Sequence, residues 1–271
     1  MLINGKPGDH IACSDRGLQY GDGLFETLAV NQGRPSQWQR HMARLSRGES
    51  VLALPPTDKQ LLEEEALSLC TGQDRAVLKI VLTRGSGGRG YAKPASCTPQ
   101  RLLSLHTWPD YPLSWYSEGI RIGICRTRIG RNSQLAGLKH LNRLEQVLAR
   151  SECKDAQLDE CLMLDERGQV ICGSQSNLFS IRQGTLYTPD LSYSGIAGVV
   201  RELVIEFAGE LSIPVQITDL DLQSLVDADA LFLTNSVIGF CPVAEMNKRR
   251  YDFEKIPVEL RRRVELACQA S

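Results

Sequence analysis

Residues 137–146 read Gly-Leu-Lys-His-Leu-Asn-Arg-Leu-Glu-Gln, and this run bears most directly on the architecture of the chain. The segment 141–153 has helical spacing, which predicts an amphipathic helix with a face formed by Leu144, Val147, Leu148 and Ser151. A lone lysine such as Lys139 is usually a solvated surface charge. A functional lysine needs partial desolvation, which lowers its pKa so that it can form a Schiff base or move protons.

Length and composition limit the class of protein. The 271 residues have room for one large domain or two modest ones. The 42% hydrophobic and 23% charged shares argue against disorder and coiled coil. With 31 basic and 32 acidic residues the net charge is −1, so the whole chain has no attraction for nucleic acid or an anionic membrane. Neither a signal peptide nor a stretch of roughly 20 apolar residues is present, and we expect a cytoplasmic protein.

The cysteines and histidines show no metal-binding pattern. Nine cysteines occur without CxxC spacing, and an odd number cannot pair completely within one chain. The four histidines show no HExxH or mixed Cys/His spacing. We therefore expect reduced thiols and no metal.

The pattern of elements predicts an α+β fold. A meander of strands is predicted at 1–4, 10–13 and 23–31, the last with alternating Phe25, Thr27 and Ala29. Further strands are predicted at 76–83, 101–106, 120–125, 160–164, 169–172, 177–181, 185–187 and 230–235. Further helices are predicted at 38–52, 58–70, 198–209 and 258–267. Strict βαβ alternation is absent, which favours α+β.

The aromatic and proline-rich segment 107–117 predicts an interdomain connector. It divides the chain into an N-terminal α/β domain, 1–106, and a C-terminal domain, 118–271.

The run 85–90 formally matches the dinucleotide motif GxGxxG after a strand. That motif needs a helix beginning at its third glycine, and Pro94 follows too closely for one. We interpret the run as a flexible, positively charged loop lined by Arg84 and Arg89. Two other runs are weak signals alone: 170–179 is a hairpin pattern, and 194–202 opens a helix whose backbone N–H groups could hold a phosphate.

Taken together, these motifs resemble the fold-type IV pyridoxal-phosphate (PLP) enzymes from end to end, and among them the 4-amino-4-deoxychorismate lyase family. The matching motifs are 14–17, 20–27, 40–45, 83–91 and, above all, 136–148. The run Lys-His-Leu-Asn-Arg-Leu-Glu-Gln within the last motif separates these lyases from related aminotransferases. The resemblance implies a small N-terminal α/β domain and a larger C-terminal pseudo-barrel domain that binds PLP.

The same resemblance implies roles for individual residues. Lys139 is the Schiff-base lysine, and Arg44 pairs with the cofactor phosphate. The backbone N–H groups of Val199 and Val200 and the hydroxyl of Ser236 complete the phosphate site. Arg89 is a candidate contact for the substrate carboxylates.

One position departs from the family pattern. Relatives commonly carry a glutamate before the Gly/Ser turn, where it keeps the pyridine nitrogen of PLP protonated. Here that position is Cys172. A neutral thiol supplies no negative charge, whereas a thiolate with a depressed pKa could replace the carboxylate.

The resemblance implies the conversion of 4-amino-4-deoxychorismate to p-aminobenzoate and pyruvate in folate biosynthesis, through an external aldimine with PLP. It also implies a homodimer. One alternative is an aminotransferase acting on D- or branched-chain amino acids. The other is a non-enzymatic PLP-binding protein with a decayed site, marked by Cys172.

Overall fold

A computed structural model describes residues 1–270 of the chain. Its contacts divide these residues into two compact units. Unit 1 contains Met1–Pro109, Leu138–Asn142 and the residues from Gln269, and unit 2 contains Asp110–Gly137 and Arg143–Cys268. The segment Leu138–Asn142 thus clusters with unit 1, although the predicted boundaries put it in the C-terminal domain.

The predicted connector, 107–117, is divided between the two units. Trp108 lies in unit 1, where the Arg75 guanidinium sits 3.8 Å from the centroid of its ring. Tyr111, Trp115 and Tyr116 pack against the core of unit 2. Aromatic residues in both parts of the segment therefore pack against the unit to which they belong.

Unit 1 is built on a six-stranded antiparallel sheet with the order β2-β1-β6-β5-β3-β4. Its strands are β1 (Leu2–Ile3), β2 (Lys6–Pro7), β3 (Gly23–Asn31), β4 (Arg34–Pro35), β5 (Arg75–Thr83) and β6 (Gln100–Thr107). Its helices are α1 (Arg16–Tyr20), α2 (Trp38–Leu52) and α3 (Lys59–Cys70). The core contains Leu24, Leu28, Met42, Leu45, Leu62, Leu78 and Leu103.

In β3, the alternating set Phe25, Thr27 and Ala29 that marked the strand in the sequence contains only one buried residue, Ala29. Leu24, Glu26 and Leu28 are buried, whereas Phe25 and Thr27 are half-buried. The sequence pattern is ambiguous because both sets of alternate positions contain apolar residues. This register places the carboxylate of Glu26 in the interior of unit 1.

Unit 2 has nine strands in a mixed sheet, ordered β12-β11-β10-β13-β14-β7-β8-β9, with β15 paired to β14. The strands are β7 (Ile120–Ile124), β8 (Glu160–Leu164), β9 (Val170–Gly173), β10 (Asn177–Arg182), β11 (Thr185–Pro189), β12 (Val215–Thr218), β13 (Ala230–Asn235), β14 (Gly239–Met246) and β15 (Arg249–Arg250). The helices are α4 (Ser114–Ser117), α5 (Leu144–Asp155), α6 (Val199–Glu210), α7 (Leu222–Val226) and α8 (Val258–Gln269). Pairs β7–β8, β7–β14 and β11–β12 are parallel.

The α+β class is confirmed, with several corrections to individual elements. The return strand of the first hairpin is Lys6–Pro7, not 10–13, because the Asn4-Gly5 turn pairs it directly with β1. Helix α5 begins at Leu144 rather than residue 141, because the backbone of residues 139–141 pairs with β3. Strand β14 was not predicted from the sequence, because it contains Pro242 and proline argues against a strand inside a sheet.

No helix among residues 1–270 is long and apolar enough to span a membrane.

Candidate active site

Lys139 lies on a short extended segment that pairs with β3 in unit 1. The Phe25 amide donates to the Lys139 carbonyl at 2.9 Å, and the Leu141 amide donates to the Gly23 carbonyl at 3.1 Å. The Lys139 side chain is half-buried, with Nζ 4.3 Å from the centroid of the Phe25 ring. The amine therefore lies at a partly buried position beside an aromatic face rather than in open solvent.

Arg44 lies one turn after His41 on α2, and both side chains are buried with Glu26 of β3. Glu26 Oε1 accepts from Arg44 Nε at 2.8 Å, and Oε2 accepts from Arg44 Nη2 at 2.5 Å. Burial alone would raise the pKa of Glu26, but the Arg44 and His41 side chains outweigh it and lower the pKa from 4.5 to about 2. The two hydrogen bonds of this charged pair fix the plane of the guanidinium.

His41 connects Glu26 with the surroundings of Lys139. Its Nδ1 lies 2.7 Å from Glu26 Oε2. Burial is the main cause that lowers the pKa of His41, and the positive charges of Arg44 and Lys139 lower it further. The imidazole is therefore neutral at neutral pH and donates its Nδ1–H to Glu26. Since Arg44 and Lys139 both act on His41, the structure brings these two predicted residues into one neighbourhood.

Sequence reasoning assigned no role to Glu26 or His41, although one signal was available. Glu26 alternates with Leu24 and Leu28, and a carboxylate at a buried strand position requires a buried cationic partner. The register of β3 had to be known before that signal could be used.

In unit 2, the N-terminus of α6 carries two predicted backbone donors. The helix begins at Val199 after Gly198, and no side chain caps it. First-turn N–H groups lack partners within a helix and lie at its positive end, so the Val199 and Val200 amides suit an anion. A Cβ at Gly198 would come within 2.0 Å of Asn177 Oδ1, so only glycine fits against Asn177.

Asn177 ties this helix terminus to two turns of unit 2. Its Nδ2 donates to the Ile196 carbonyl at 2.9 Å, and it is paired with Thr234 across β10 and β13. Asn235 Nδ2 donates to the Gln175 carbonyl at 3.2 Å. The β9–β10 turn, the β13–β14 turn and the N-terminus of α6 therefore converge.

Ser236 lies half-buried in the β13–β14 turn. Asn235 Oδ1 accepts from the Val237 amide at 2.8 Å and the Ile238 amide at 2.7 Å, which fixes the turn. Beside it, Thr234 Oγ1 is fully buried and has no hydrogen-bond partner within residues 1–270. Because a buried unpaired hydroxyl is unfavourable, this position suits an incoming acceptor.

Cys172 is buried at the end of β9, before the β9–β10 turn. Burial, together with the negative charge of Glu160, raises the pKa of the Cys172 thiol to about 12, although Arg143 acts in the opposite direction. The thiol is therefore neutral at neutral pH, and the thiolate alternative is not supported.

Glu160 also organises the β9–β10 turn. Its carboxylate accepts from the Ser176 hydroxyl at 3.0 Å, from the Ser174 amide at 3.1 Å and from the Ser174 hydroxyl. The turn that follows Cys172 is thus rigidly held by a buried anion.

Arg89 and Arg84, predicted to line one charged loop, have different surroundings. Arg84 is buried, with Nε 2.7 Å from Asp22 Oδ2 and two N–H groups bonded to the Leu52 and Ala53 carbonyls. It therefore has a structural role, contrary to the expectation. Arg89, by contrast, is exposed on the loop.

Each unit by itself offers groups that suit a phosphorylated aldehyde cofactor. Unit 1 offers a half-buried amine and a fixed guanidinium. Unit 2 offers a helix N-terminus without a side-chain cap and a buried hydroxyl without a partner. No group of three or more metal-ligating side chains is present in residues 1–270.

Known proteins share both sequence and fold with this chain. The solved 4-amino-4-deoxychorismate lyase of Pseudomonas aeruginosa is 44% identical with a TM-score of 0.90, covering 97% of this chain and 96% of that chain. An aminodeoxychorismate lyase of Vibrio harveyi is 35% identical over 93% of each chain. A putative branched-chain-amino-acid aminotransferase of Methanocaldococcus jannaschii is 32% identical, covering 92% of this chain and 88% of that protein.

The fold and the donor set define a PLP enzyme of fold type IV, as the sequence motifs predicted. The chain belongs to the aminotransferase class IV family, whose sequence profile matches residues 23–246. Proteins of this family use pyridoxal phosphate.

Proposed function

We propose that this protein is a PLP-dependent lyase that converts 4-amino-4-deoxychorismate to p-aminobenzoate and pyruvate, a step of folate biosynthesis. The observation that carries the chemistry is the half-buried Lys139 amine over the Phe25 ring, in the neighbourhood of Arg44. The substrate follows from similarity to lyases at 35% and 44% identity over nearly the full chain.

We propose cofactor contacts in each unit, and different residues bind different chemical groups of the cofactor. Lys139 binds its aldehyde carbon, and Arg44 binds its phosphate. In unit 2, the Val199 and Val200 amides and the Ser236 hydroxyl are the phosphate donors that we propose. When bound, PLP supplies an electrophilic carbon and an electron-accepting ring.

In the proposed mechanism, Lys139 Nζ removes the proton from the ring carbon that bears the substrate nitrogen. The bond to the enolpyruvyl oxygen breaks, and the charged Lys139 Nζ returns a proton to the departing group, which becomes pyruvate. p-Aminobenzoate and pyruvate account for all atoms of the substrate. One amine therefore serves as base and then as acid.

Arg89 remains a proposed contact for the substrate carboxylates. Its guanidinium is exposed on the loop 85–90, where a dicarboxylate in solution can reach it. A planar two-pronged donor matches carboxylate geometry.

The neutral Cys172 favours this lyase over a transaminase. Without an anion beside the pyridine nitrogen, the ring is a weaker electron acceptor, and transamination depends strongly on that property. The lyase gains part of its driving force from making an aromatic product. Cofactor electronics are therefore less important for the lyase.

The test is p-aminobenzoate release from enzymatically generated 4-amino-4-deoxychorismate, followed by product fluorescence with and without PLP. We expect turnover that depends on PLP and is lost in Lys139→Ala, which binds the cofactor only noncovalently. Full activity of Lys139→Ala would refute the role of the lysine. Bound PLP without turnover would refute the lyase, and failure to bind PLP would indicate a decayed site.

Similarity to a putative branched-chain aminotransferase makes transamination the second candidate. A transaminase converts its cofactor to the pyridoxamine form when given an amino donor without an acceptor. We expect no such conversion with D-alanine or L-leucine. Complete conversion by either donor would establish an aminotransferase.

The proposal includes a homodimer in the cytoplasm. Leu144, Val147 and Leu148, which belong to the predicted apolar face of α5, are all exposed. Contiguous exposed apolar side chains mark contact surfaces, which supports a second copy as partner. All nine cysteines are free thiols, which suits a reducing compartment.

A further inference from the structure

Glu26 is a fully buried carboxylate in the neighbourhood of Lys139, and both of its oxygens accept hydrogen bonds. The side chains of Glu26 and His41 are each 1% exposed, and that of Arg44 is 6% exposed. Three hydrogen bonds of 2.5–2.8 Å converge on the carboxylate, two from Arg44 and one from His41. Burying an ion pair is costly unless well-aligned hydrogen bonds compensate for the lost hydration. The short hydrogen bonds to Glu26 provide that compensation.

This geometry holds Arg44 in one orientation. Arginine has several rotatable bonds and a planar charged head, so on its own it samples many directions. Side-on pairing through Nε and Nη2 fixes both the position and the plane of the guanidinium. His41 in turn holds Glu26 from the helix that carries Arg44, so β3 and α2 are tied together at this point.

Glu26 also supplies the negative charge of this neighbourhood. Arg44 is a permanent cation, and Lys139 contributes a further positive charge near the neutral His41. Without Glu26, the buried cationic side chain would lose its counter-ion and its alignment together.

We propose that Glu26 is a positioning residue that acts through Arg44, holding the guanidinium ready for the phosphate of the cofactor, with His41 fixing the carboxylate. This inference rests on the proposed function, in which Arg44 binds that phosphate. Glu26 does not touch the cofactor in this proposal. Its effect is therefore confined to ligands that carry a phosphate.

The experiment compares two aldehydes, pyridoxal 5'-phosphate and pyridoxal, which differ only in the phosphate. Each is titrated into cofactor-free full-length protein, and binding is followed by the absorbance of the lysine-bound aldehyde. We expect Glu26→Gln to raise the Kd of pyridoxal phosphate by about 30-fold, corresponding to about 2 kcal/mol. The Kd of pyridoxal should change less than threefold. Equal losses for both aldehydes would mean a merely structural role and would overturn the proposal.

A matched control is available in the same unit. Glu65 is a buried carboxylate that also forms a side-on pair, with Arg101 Nη2 at 2.6 Å and Nε at 3.2 Å. Glu65→Gln removes an equivalent ion pair away from Lys139, and we expect wild-type affinity for both aldehydes. A phosphate-selective loss in this control would contradict a specific role for Glu26.

Two further variants keep the proposal testable if Glu26→Gln folds poorly. Glu26→Asp retains the charge and should recover most of the selectivity for the phosphorylated aldehyde. In an Arg44→Ala background, replacing Glu26 by Gln should add less than a twofold loss, because its effect passes through Arg44. A full additional loss would overturn the inference. If wild-type protein binds neither aldehyde, the proposed function fails instead.

Discussion

At Cys172, a neutral thiol stands where the resemblance places a carboxylate. We predict that Cys172→Glu changes the kcat of p-aminobenzoate release less than tenfold, about 1.4 kcal/mol in barrier. The reason is that aromatisation of the product supplies driving force independent of the cofactor ring. Cys172→Gln is the control, because glutamine has the same shape as glutamate but carries no charge. A gain of several orders of magnitude in the glutamate variant alone would contradict this interpretation.

Individual residues differed in how far they could be predicted. Lys139 and Arg44 stand in motifs that the resemblance assigns, and the structure places both near His41. Glu26 and His41 stand in the same motifs but were not predicted, because their importance depends on a strand register and a helix face. The burial of Arg84 was missed for the same reason, since its partner Asp22 is distant in sequence.

Helix α6 allows a test in which one element supplies both variant and control. Gly198→Ala places a Cβ 2.0 Å from Asn177 Oδ1, so Asn177 must move away from the helix N-terminus. We predict a loss of about 1–3 kcal/mol in unfolding free energy, as for overpacked sites, and a PLP Kd raised about tenfold. Urea unfolding and PLP titration measure the two effects.

The control for that variant is Gly209→Ala near the other end of α6. A Cβ at Gly209 meets nothing within 4 Å, and alanine favours a helix over glycine by about 1 kcal/mol. We expect unchanged or increased stability and unchanged PLP affinity. Equal losses in both variants would show that the packing against Asn177 has no special importance.

Elements with clear periodicity were predicted well, and those that depend on distant partners were not. The hairpin β10–β11 is confirmed at its Gln183-Gly184 turn, where both residues have positive φ. Strand β14 contains a proline and is stabilised by β13 and β7, far away in sequence. Helix α5 has the predicted amphipathic pattern, but its apolar face is exposed, because periodicity indicates an apolar face without identifying what covers it.

At the scale of the whole molecule, the Glu26 cluster predicts acid sensitivity. The folded pKa of Glu26 is lowered to about 2 from 4.5, so its contribution is present above pH 4.5 and is lost as pH falls toward 2. The pKa of His41 is also lowered from 6.5, so protonation favours the unfolded state as pH falls below 6.5. Both groups therefore make the protein less stable in acid. We expect Glu26 to account for a loss of about 2 kcal/mol in unfolding free energy between pH 7 and pH 3, measured by urea unfolding. Glu26→Gln should show a shallower pH dependence, and an unchanged slope would contradict the assignment.

The exposed face of α5 makes the assembly state testable. The exposed fractions of Leu144, Val147 and Leu148 are 77%, 58% and 58%. If a second copy covers this face, a charge there is buried without a partner on association, which is strongly unfavourable. We predict a dimer of about 60 kDa, twice the 30.1 kDa chain, by light scattering, and a monomer for the double variant Val147→Glu/Leu148→Glu.

Leu266→Glu is the matched control for this variant, since Leu266 is also an exposed apolar residue on a helix, at 52%. It should remain dimeric, because it lies on α8 rather than on the apolar face of α5. Circular dichroism of each variant separates loss of assembly from loss of folding. A monomeric wild-type protein would refute the dimer, and a dimeric double variant would place its interface elsewhere. Exposed apolar side chains on α5 would then have to be explained without a second copy.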